Sequence, residues 1–488
     1  MRRVCLAFLV ILLLTTACAG ERPSLEDSAA REVDAIAAAS ESSSTTAPVD
    51  GRPSLRLAVP EGWSLDPADA GPASLTNRVL AGLLYEGITA IGPDGGAEPG
   101  LADRWFVSDD RLTWTFVFPE GLADADDEPI TARNVKSSLE RIAARGGADH
   151  AATALTMITG WSDQMDGTAR GVAGISAPDE LTLVIRLDSP FELLLDVLAS
   201  PAFGITGEQF EGGLRLTGAF ASTDEADRFV SRDAGNPVRE IVLVADPDGS
   251  AAAFAAGEVD WAVLSPADSS ADLDGDIVRQ PLDIELAMVA RSPTREARLG
   301  ALNALEPLLL AGAVEGLTAR TTPSSATEGE APAAVLLDLP SGSLDALADA
   351  LVSQLEAAGV QVVAAAAEPD AFANRVASGD ALLFPIVIAG GTGPASAALR
   401  LGVPGASDDV FGPESEARAE LAQAVTTELD TDQRDLFVAA LEQALIDDGL
   451  LLPIGRYEVR VAIGPRLEGL RHRDDGTLDL TAVRTAAE

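Results

Sequence analysis

The chain has 488 residues, with 34 basic against 77 acidic side chains and a formal charge of −43. Such a balance excludes a surface built for nucleic acid or for anionic lipid. Because the acids run along the whole chain, they read as a solvated surface and not as a cation-binding patch.

Arg2 and Arg3 precede an apolar run, Val4–Leu14, followed by Thr15-Thr16-Ala17-Cys18. A charged start, a short apolar stretch and small residues read as an export signal, and the stretch is short of the roughly 20 residues that span a bilayer. The ending in Ala17-Cys18 resembles a bacterial lipoprotein signal, with residues 1–17 removed and Cys18 acylated, although Thr15 stands where such signals carry leucine. Acyl chains would hold the protein to the membrane, each buried methylene adding about 0.8 kcal/mol. Cys5 falls in the signal, so Cys18 has no partner for a disulfide and core burial must hold the fold. Residues 18–51, with the run Ser40–Thr46, are predicted to form a disordered tether.

Leu55–Val59 alternates as a strand should and stops at Pro60. Ser74 can cap a helix over Leu75–Tyr85, with Leu75, Val79 and Leu83 on its apolar face. Gly92–Gly96 is a turn and Thr113–Phe118 an aromatic, β-branched strand. Thr131 can cap a helix over Ala132–Ala144, on which Lys136 and Glu140 pair. Asp124–Glu128 lacks EF-hand spacing and reads as a solvated loop, with calcium chelation the alternative. Leu181–Leu187 alternates again, a helix is expected near Phe191–Leu198, and Ile241–Ala245 and Trp261–Leu264 are further strands.

A second α/β unit is expected from about Leu282. Val335–Leu339, the stripe Leu344, Leu347, Ala348, Leu351 and Leu355, a stop at Gly359 and the strand Val360–Val363 make a β-α-β unit. Leu382–Ala389 is a hydrophobic strand, Glu414–Leu429 and Asp432–Asp447 are long helices, and Leu451–Ile454 and Tyr457–Ile463 are two returning strands.

The run Leu84–Gly87, Ala102, Trp105, Ser108, Asp110, Trp114–Phe118, Gly121, Pro129, Thr131, Ala132, Ser138 and Arg141 resembles the extracytoplasmic family 5 solute-binding proteins of peptide and nickel ABC importers. Ala177–Phe191, Ala256–Asp260 and the segment from Asp448 to Pro453 carry the resemblance further. It implies an α/β, periplasmic-binding-protein-like fold: two lobes around a cleft, with a small extra domain inserted in the first lobe. The expected division is lobe I over 52–77, 188–275 and 454–488, the inserted domain over 78–187, and lobe II over 276–453.

The histidines, His150 and His472, read as exposed, and no HExxH, CxxC or glycine-x-serine-x-glycine elbow occurs. Gly390–Gly393 lacks the P-loop lysine and reads as a turn. The chain therefore reads as a binder and not an enzyme, with no cofactor or metal. The resemblance implies a ligand site after the first strand, at Trp63, Leu65 and Asp66, at the lobe junction, at Gly218 and Phe220, and in the second lobe, at Phe384. The family's aspartate for a peptide amino group has no counterpart in Leu383–Gly390; neither Asp380 nor Asp408 replaces it. The implied partners are a small solute or short peptide, an ABC permease and, through the lipid, the membrane; the chain is expected to be a monomer. The alternative is a cell-surface structural or sensory protein of the same fold without a transport ligand.

Overall fold

The structure is a computed structural model describing residues 51–71, 74–92, 96–145, 155–206, 214–245, 250–265, 273–320, 332–340, 345–389, 410–411, 415–428, 430–473 and 475–486. The signal, Cys18 and the tether up to residue 50 lie outside the described residues, as do His150, Gly390–Gly393 and Asp408.

Strand β1 (Ser54–Val59) buries Leu55 and Leu57, and helix α1 (Leu75–Leu84) follows. Ser74 Oγ accepts from Asn77 N at 3.3 Å, which satisfies one orphan donor of the first turn. The predicted stripe Leu75, Val79 and Leu83 is inside, but so are Asn77 and Arg78. This helix is therefore wrapped by protein on more than its apolar face, and Arg78 Nη1 donates to the Asp475 carbonyl at 3.1 Å.

A hairpin of β2 (Thr89–Ile91) and β3 (Ala97–Pro99) leads to β4 (Arg104–Val107) and β5 (Thr113–Val117). Helix α2 (Ala132–Ala143) then precedes β6 (Ile175–Ser176) and β7 (Thr182–Arg186). These last four strands form a separate antiparallel sheet in the order β4-β5-β7-β6. Its inner face places Trp114, Phe116, Leu183 and Ile185 in one core with Val135, Leu139 and Ile142 of α2. Thr131 caps α2 and Asn134 returns the bond to the Thr131 backbone N–H. The Lys136–Glu140 pair forms as predicted.

Helix α3 (Leu194–Leu198) returns the chain to the main sheet. That sheet takes β8 (Phe220–Ser222), β9 (Arg228–Ser231), β10 (Glu240–Ala245) and β11 (Trp261–Leu264). It continues through β12 (Asp276–Ala290), β13 (Leu317–Ala319) and β14 (Ala334–Pro340). After helix α4 (Asp345–Ala357) come β15 (Gln361–Ala367), helix α5 (Pro369–Ser378) and β16 (Leu383–Ala389). Helices α6 (Glu416–Thr427) and α7 (Thr431–Asp447) precede β17 (Leu451–Ile463). Among the described residues the order is β15-β14-β16-β12-β17-β11-β1-β10-β9-β8, with β13 also on β17.

This is a two-lobed α/β fold with a curled mixed sheet. Each half contains a parallel pair, β1 with β10 and β14 with β15, and β9 and β8 extend the first half antiparallel. The antiparallel strands β12 and β17 join the halves, and their register shifts between Pro281 and Glu285. The sequence reading split the last strand in two; it is instead one strand of 13 residues, because Gly455 and Arg456 stay in the ladder. Alternation along β12 sends Leu286 and Met288 to one core and Ala287 and Val289 to the other. The first of these cores reaches Leu55, Leu57 and Ile241 of the first lobe, whereas the second joins β12 and β16 to the inserted sheet.

Candidate ligand-binding site

Of the six residues singled out in the sequence, Gly218 lies against the C-terminal end of α1, whereas Ser64, between Trp63 and Leu65, donates its N–H to Asn77 Oδ1 in the first turn of that helix. Trp63 and Leu65 are half-buried and pack on the core that contains Phe220. Gly218 donates its N–H to the Leu84 carbonyl at 2.9 Å. A Cβ on Gly218 would lie 2.7 Å from Leu84 C and 2.8 Å from Tyr85 N, so only glycine permits this approach. Phe220 is fully buried in the same core. Phe384 belongs to the other core, stacked edge-on against Phe372 at 6.3 Å with the Arg291 guanidinium 5.3 Å from its ring centroid. The structure does not bring it to the other five.

Asp66 caps a short 3-10 turn, accepting from Ala68 N at 2.9 Å. Its other oxygen accepts from Arg141 Nη1 at 2.7 Å and from Arg145 Nη1 at 3.2 Å. Arg145 also pairs with Asp69. The Asp66 carboxylate is thus held by two guanidinia from α2 and the residues just after it.

Sequence reasoning missed the two residues next to this pair. Tyr85 is 6% exposed, and its hydroxyl has no hydrogen-bond partner. Burial, and then Asp66, push the phenol pKa well up against the opposing effect of Arg141, so the group stays protonated. Arg141 Nε and Nη2 are likewise shielded and without partners. A shielded donor left alone costs about 1–3 kcal/mol. The spacing of Ser138 and Arg141 on α2 was the available signal: it puts both on one face, and Ser138 Oγ is buried against the Thr206 carbonyl at 2.7 Å.

Glu86 follows directly. Its N–H donates to Thr217 Oγ1 at 3.1 Å, and its carbonyl accepts from Ile205 N at 2.9 Å. The side chain is open to solvent, yet enough protein surrounds it that desolvation raises its carboxyl pKa, with Arg232 opposing.

Two loop readings change. Asp124 is 1% exposed and not a solvated acid. One oxygen accepts from Asp126 N and Glu128 N at 2.9 and 3.0 Å, and the other faces Arg215 at 3.3 Å. It organises a turn, and no group of acids that could hold a metal occurs among the described residues. His472 is partly buried and not exposed, because Trp261 Nε1 donates to its Nε2 at 2.8 Å. Nδ1 therefore carries the proton toward the Gly476 carbonyl, 3.1 Å away. Burial depresses its pKa.

Residues 96–307 match the family described as bacterial extracellular solute-binding proteins, family 5 middle. The dipeptide-binding protein DppE of Bacillus subtilis is 27% identical over 129 residues, 26% of this chain and 24% of that protein. The periplasmic murein peptide-binding protein MppA of Escherichia coli is 32% identical over 143 residues, 29% of this chain and 26% of that protein. The matched stretches thus span about a quarter of these curated relatives. In fold the likeness is nearly complete: a structure titled as MppA in its unliganded open form superposes with a TM-score of 0.69 at 19% identity. That superposition covers 90% of this chain and 98% of the other. Over residues 96–307 the chain is similar to the family 5 extracellular solute-binding proteins, and over 90% of its length it has the fold of that MppA structure.

Proposed function

We propose that this chain is the lipid-anchored, extracytoplasmic receptor of an ABC importer, and that it closes two lobes around a peptide or another small polar solute for delivery to a permease. The observation that carries the reading is the pair of long strands β12 and β17 joining two α/β lobes in a chain that matches the family. A sheet continuous through two strands can bend at their register shift while each lobe moves as a body. A ligand that touches both lobes then favours the closed state by its differential affinity. Several relatives carry names that refer to peptides, which favours a peptide ligand here. Solute-binding proteins of this family bind and deliver, so no catalytic role is proposed.

On this reading residues 1–17 are a cleaved signal, Cys18 carries the lipid, and 18–51 is the tether. The division proposed is lobe I over 52–77, 188–275 and 454–488, the inserted domain over 78–187 and lobe II over 276–453, its first boundary falling within α1. Trp63, Leu65, Asp66, Gly218 and Phe220 shape one wall of the cleft, chiefly by packing. Phe384 supports the second lobe.

The test is native mass spectrometry of the protein released gently from membranes, followed by titration with a pool of di- to pentapeptides. The reading predicts a co-purifying small solute or saturable binding from the pool, and Cys18→Ala protein found in the soluble fraction. A protein empty throughout, in a genome where no permease and ATPase neighbour its gene, would instead indicate a surface structural or sensory role.

A further inference from the structure

The donors shielded beside Asp66 have a chemical direction. Arg141 presents Nε–H and Nη2–H, the side-on fork of a guanidinium, with neither bond used. Tyr85 presents a hydroxyl with no partner on a side chain more than nine-tenths buried. Gly204 lies against both the Tyr85 Cβ and the Cβ of Pro67, the residue after Asp66, and Asp66 binds Arg141, so the groups share one locality. Buried donors without acceptors are rare in folded proteins, and three from two side chains call for an acceptor-only guest.

The site is also pre-organised. Arg141 is fixed through Nη1 to Asp66, which Arg145 also contacts. The Tyr85 backbone is clamped between the Ala81 carbonyl and the close approach of Gly218. Gly204 meets the Tyr85 Cβ so closely that a side chain there would collide with it. The two arginines and the pair Asp66 and Asp69 balance in charge. Attraction therefore comes from directed hydrogen bonds and not from net field, and a planar carboxylate matches a guanidinium fork by two parallel bonds.

We infer that the Nε/Nη2 edge of Arg141 and the hydroxyl of Tyr85 form an anchoring subsite for a carboxylate group of the solute. The inference deepens the peptide-receptor reading and rests on it for the source of the carboxylate, a peptide C-terminus. A free small carboxylate has the same chemistry and serves as a separate probe.

The experiment compares wild type and Tyr85→Phe, which removes only the unpartnered hydroxyl, with Arg141→Lys as a second variant. Each is titrated with trialanine and with trialanine amide, and its melting temperature is read in sodium acetate and in sodium chloride. For wild type, amidation is expected to weaken binding about tenfold, the scale of hydrogen bonds to a charged group. Tyr85→Phe should shrink that acid-over-amide preference several-fold while melting no lower than wild type. If wild type binds neither peptide, the peptide reading fails and the acetate arm decides: a rise in melting temperature over chloride that Tyr85→Phe lacks sustains the subsite. Equal binding of acid and amide overturns the inference, as does an unchanged preference in Tyr85→Phe. A Tyr85→Phe protein that is destabilised without ligand also overturns it, because the hydroxyl then belongs to an internal water network.

Discussion

At the scale of single residues, the strongest polar constraint is Asp260. It is 1% exposed and accepts from Arg56 N at 2.9 Å, from Arg56 Nη2 at 2.9 Å and from Arg466 Nε at 2.8 Å. These bonds fasten β1, the residue before β11 and the segment after β17, with Arg56 204 and Arg466 206 positions from Asp260. Burial alone would raise its pKa, but the hydrogen bonds from Arg466 and Arg56 outweigh burial and hold it below the usual carboxylate range. Because the folded pKa lies below the unfolded value of about 3.9, the contribution is complete above that value and is lost as pH falls through the folded pKa. Asp260→Asn should cost about 2–3 kcal/mol by urea denaturation at neutral pH, under the range for fully enclosed pairs because both guanidinia are partly open to water. It should also flatten the acid limb of the stability profile. An unchanged midpoint would show that the bonds merely offset desolvation. His472 adds a second acid sensitivity: with its pKa depressed, its contribution is full above the unfolded value of about 6.5 and declines below it. Sequence could not supply these partners. Asp260 was legible as part of Ala256–Asp260, but Arg466 is 206 positions away and no local pattern joins them.

Elements were legible where their causes are local. Ser74 and Thr131 cap the two helices predicted for them, because a cap and the N–H it binds lie three residues apart. Gly359 ends α4 with φ of +83°, the conformation a C′ glycine supplies. The stripe of α4 is buried at Leu347, Leu351 and Leu355, each contributing about 1.5–3 kcal/mol. What failed was set by tertiary contact. Gly455 looked like a break between two strands, yet β17 continues because Leu286 pairs with it on one side and Ala319 on the other. The loop at 214–220 needs Gly218 for the backbone of α1 to sit against it. Gly218→Ala places a methyl carbon within 3 Å of three backbone atoms of that helix end. It should therefore cost at least about 1–3 kcal/mol, the usual range for overpacking, read as a lower melting temperature, and weaken solute binding as the loop lifts. Wild-type stability and binding in Gly218→Ala would mean that the loop and helix end part freely.

At the scale of the molecule, one core packs Leu55, Leu57 and Ile241 of the first lobe with Leu286, Met288 and Leu337, a second joins the inserted sheet to Ala287, Val289 and Phe384, and a third, smaller one holds Ala58, Ala262 and Phe254. Contacts also cross outside the sheet. Arg434 of α7 meets Asp196 of α3 at 2.7 Å, with both side chains buried, and Glu192 N donates to the Thr426 carbonyl at 2.8 Å. The fold was readable through its family motifs, whereas the site was readable only as a neighbourhood. Gly218 meets the C-terminal end of α1, Trp63, Leu65 and Phe220 share one core, and the unused donors near Asp66 belong to Tyr85 and Arg141. Their pairing arises from a contact that spans 75 residues between Asp66 and Arg141.

The central claim is that these lobes shut on a guest. Small-angle X-ray scattering of the full-length protein, first stripped of solute and then saturated with a peptide shown by mass spectrometry to bind, addresses it most directly. The radius of gyration should fall on saturation, and the distance distribution should lose its longest vectors. Superimposable curves from the empty protein and the fully loaded one would contradict the account.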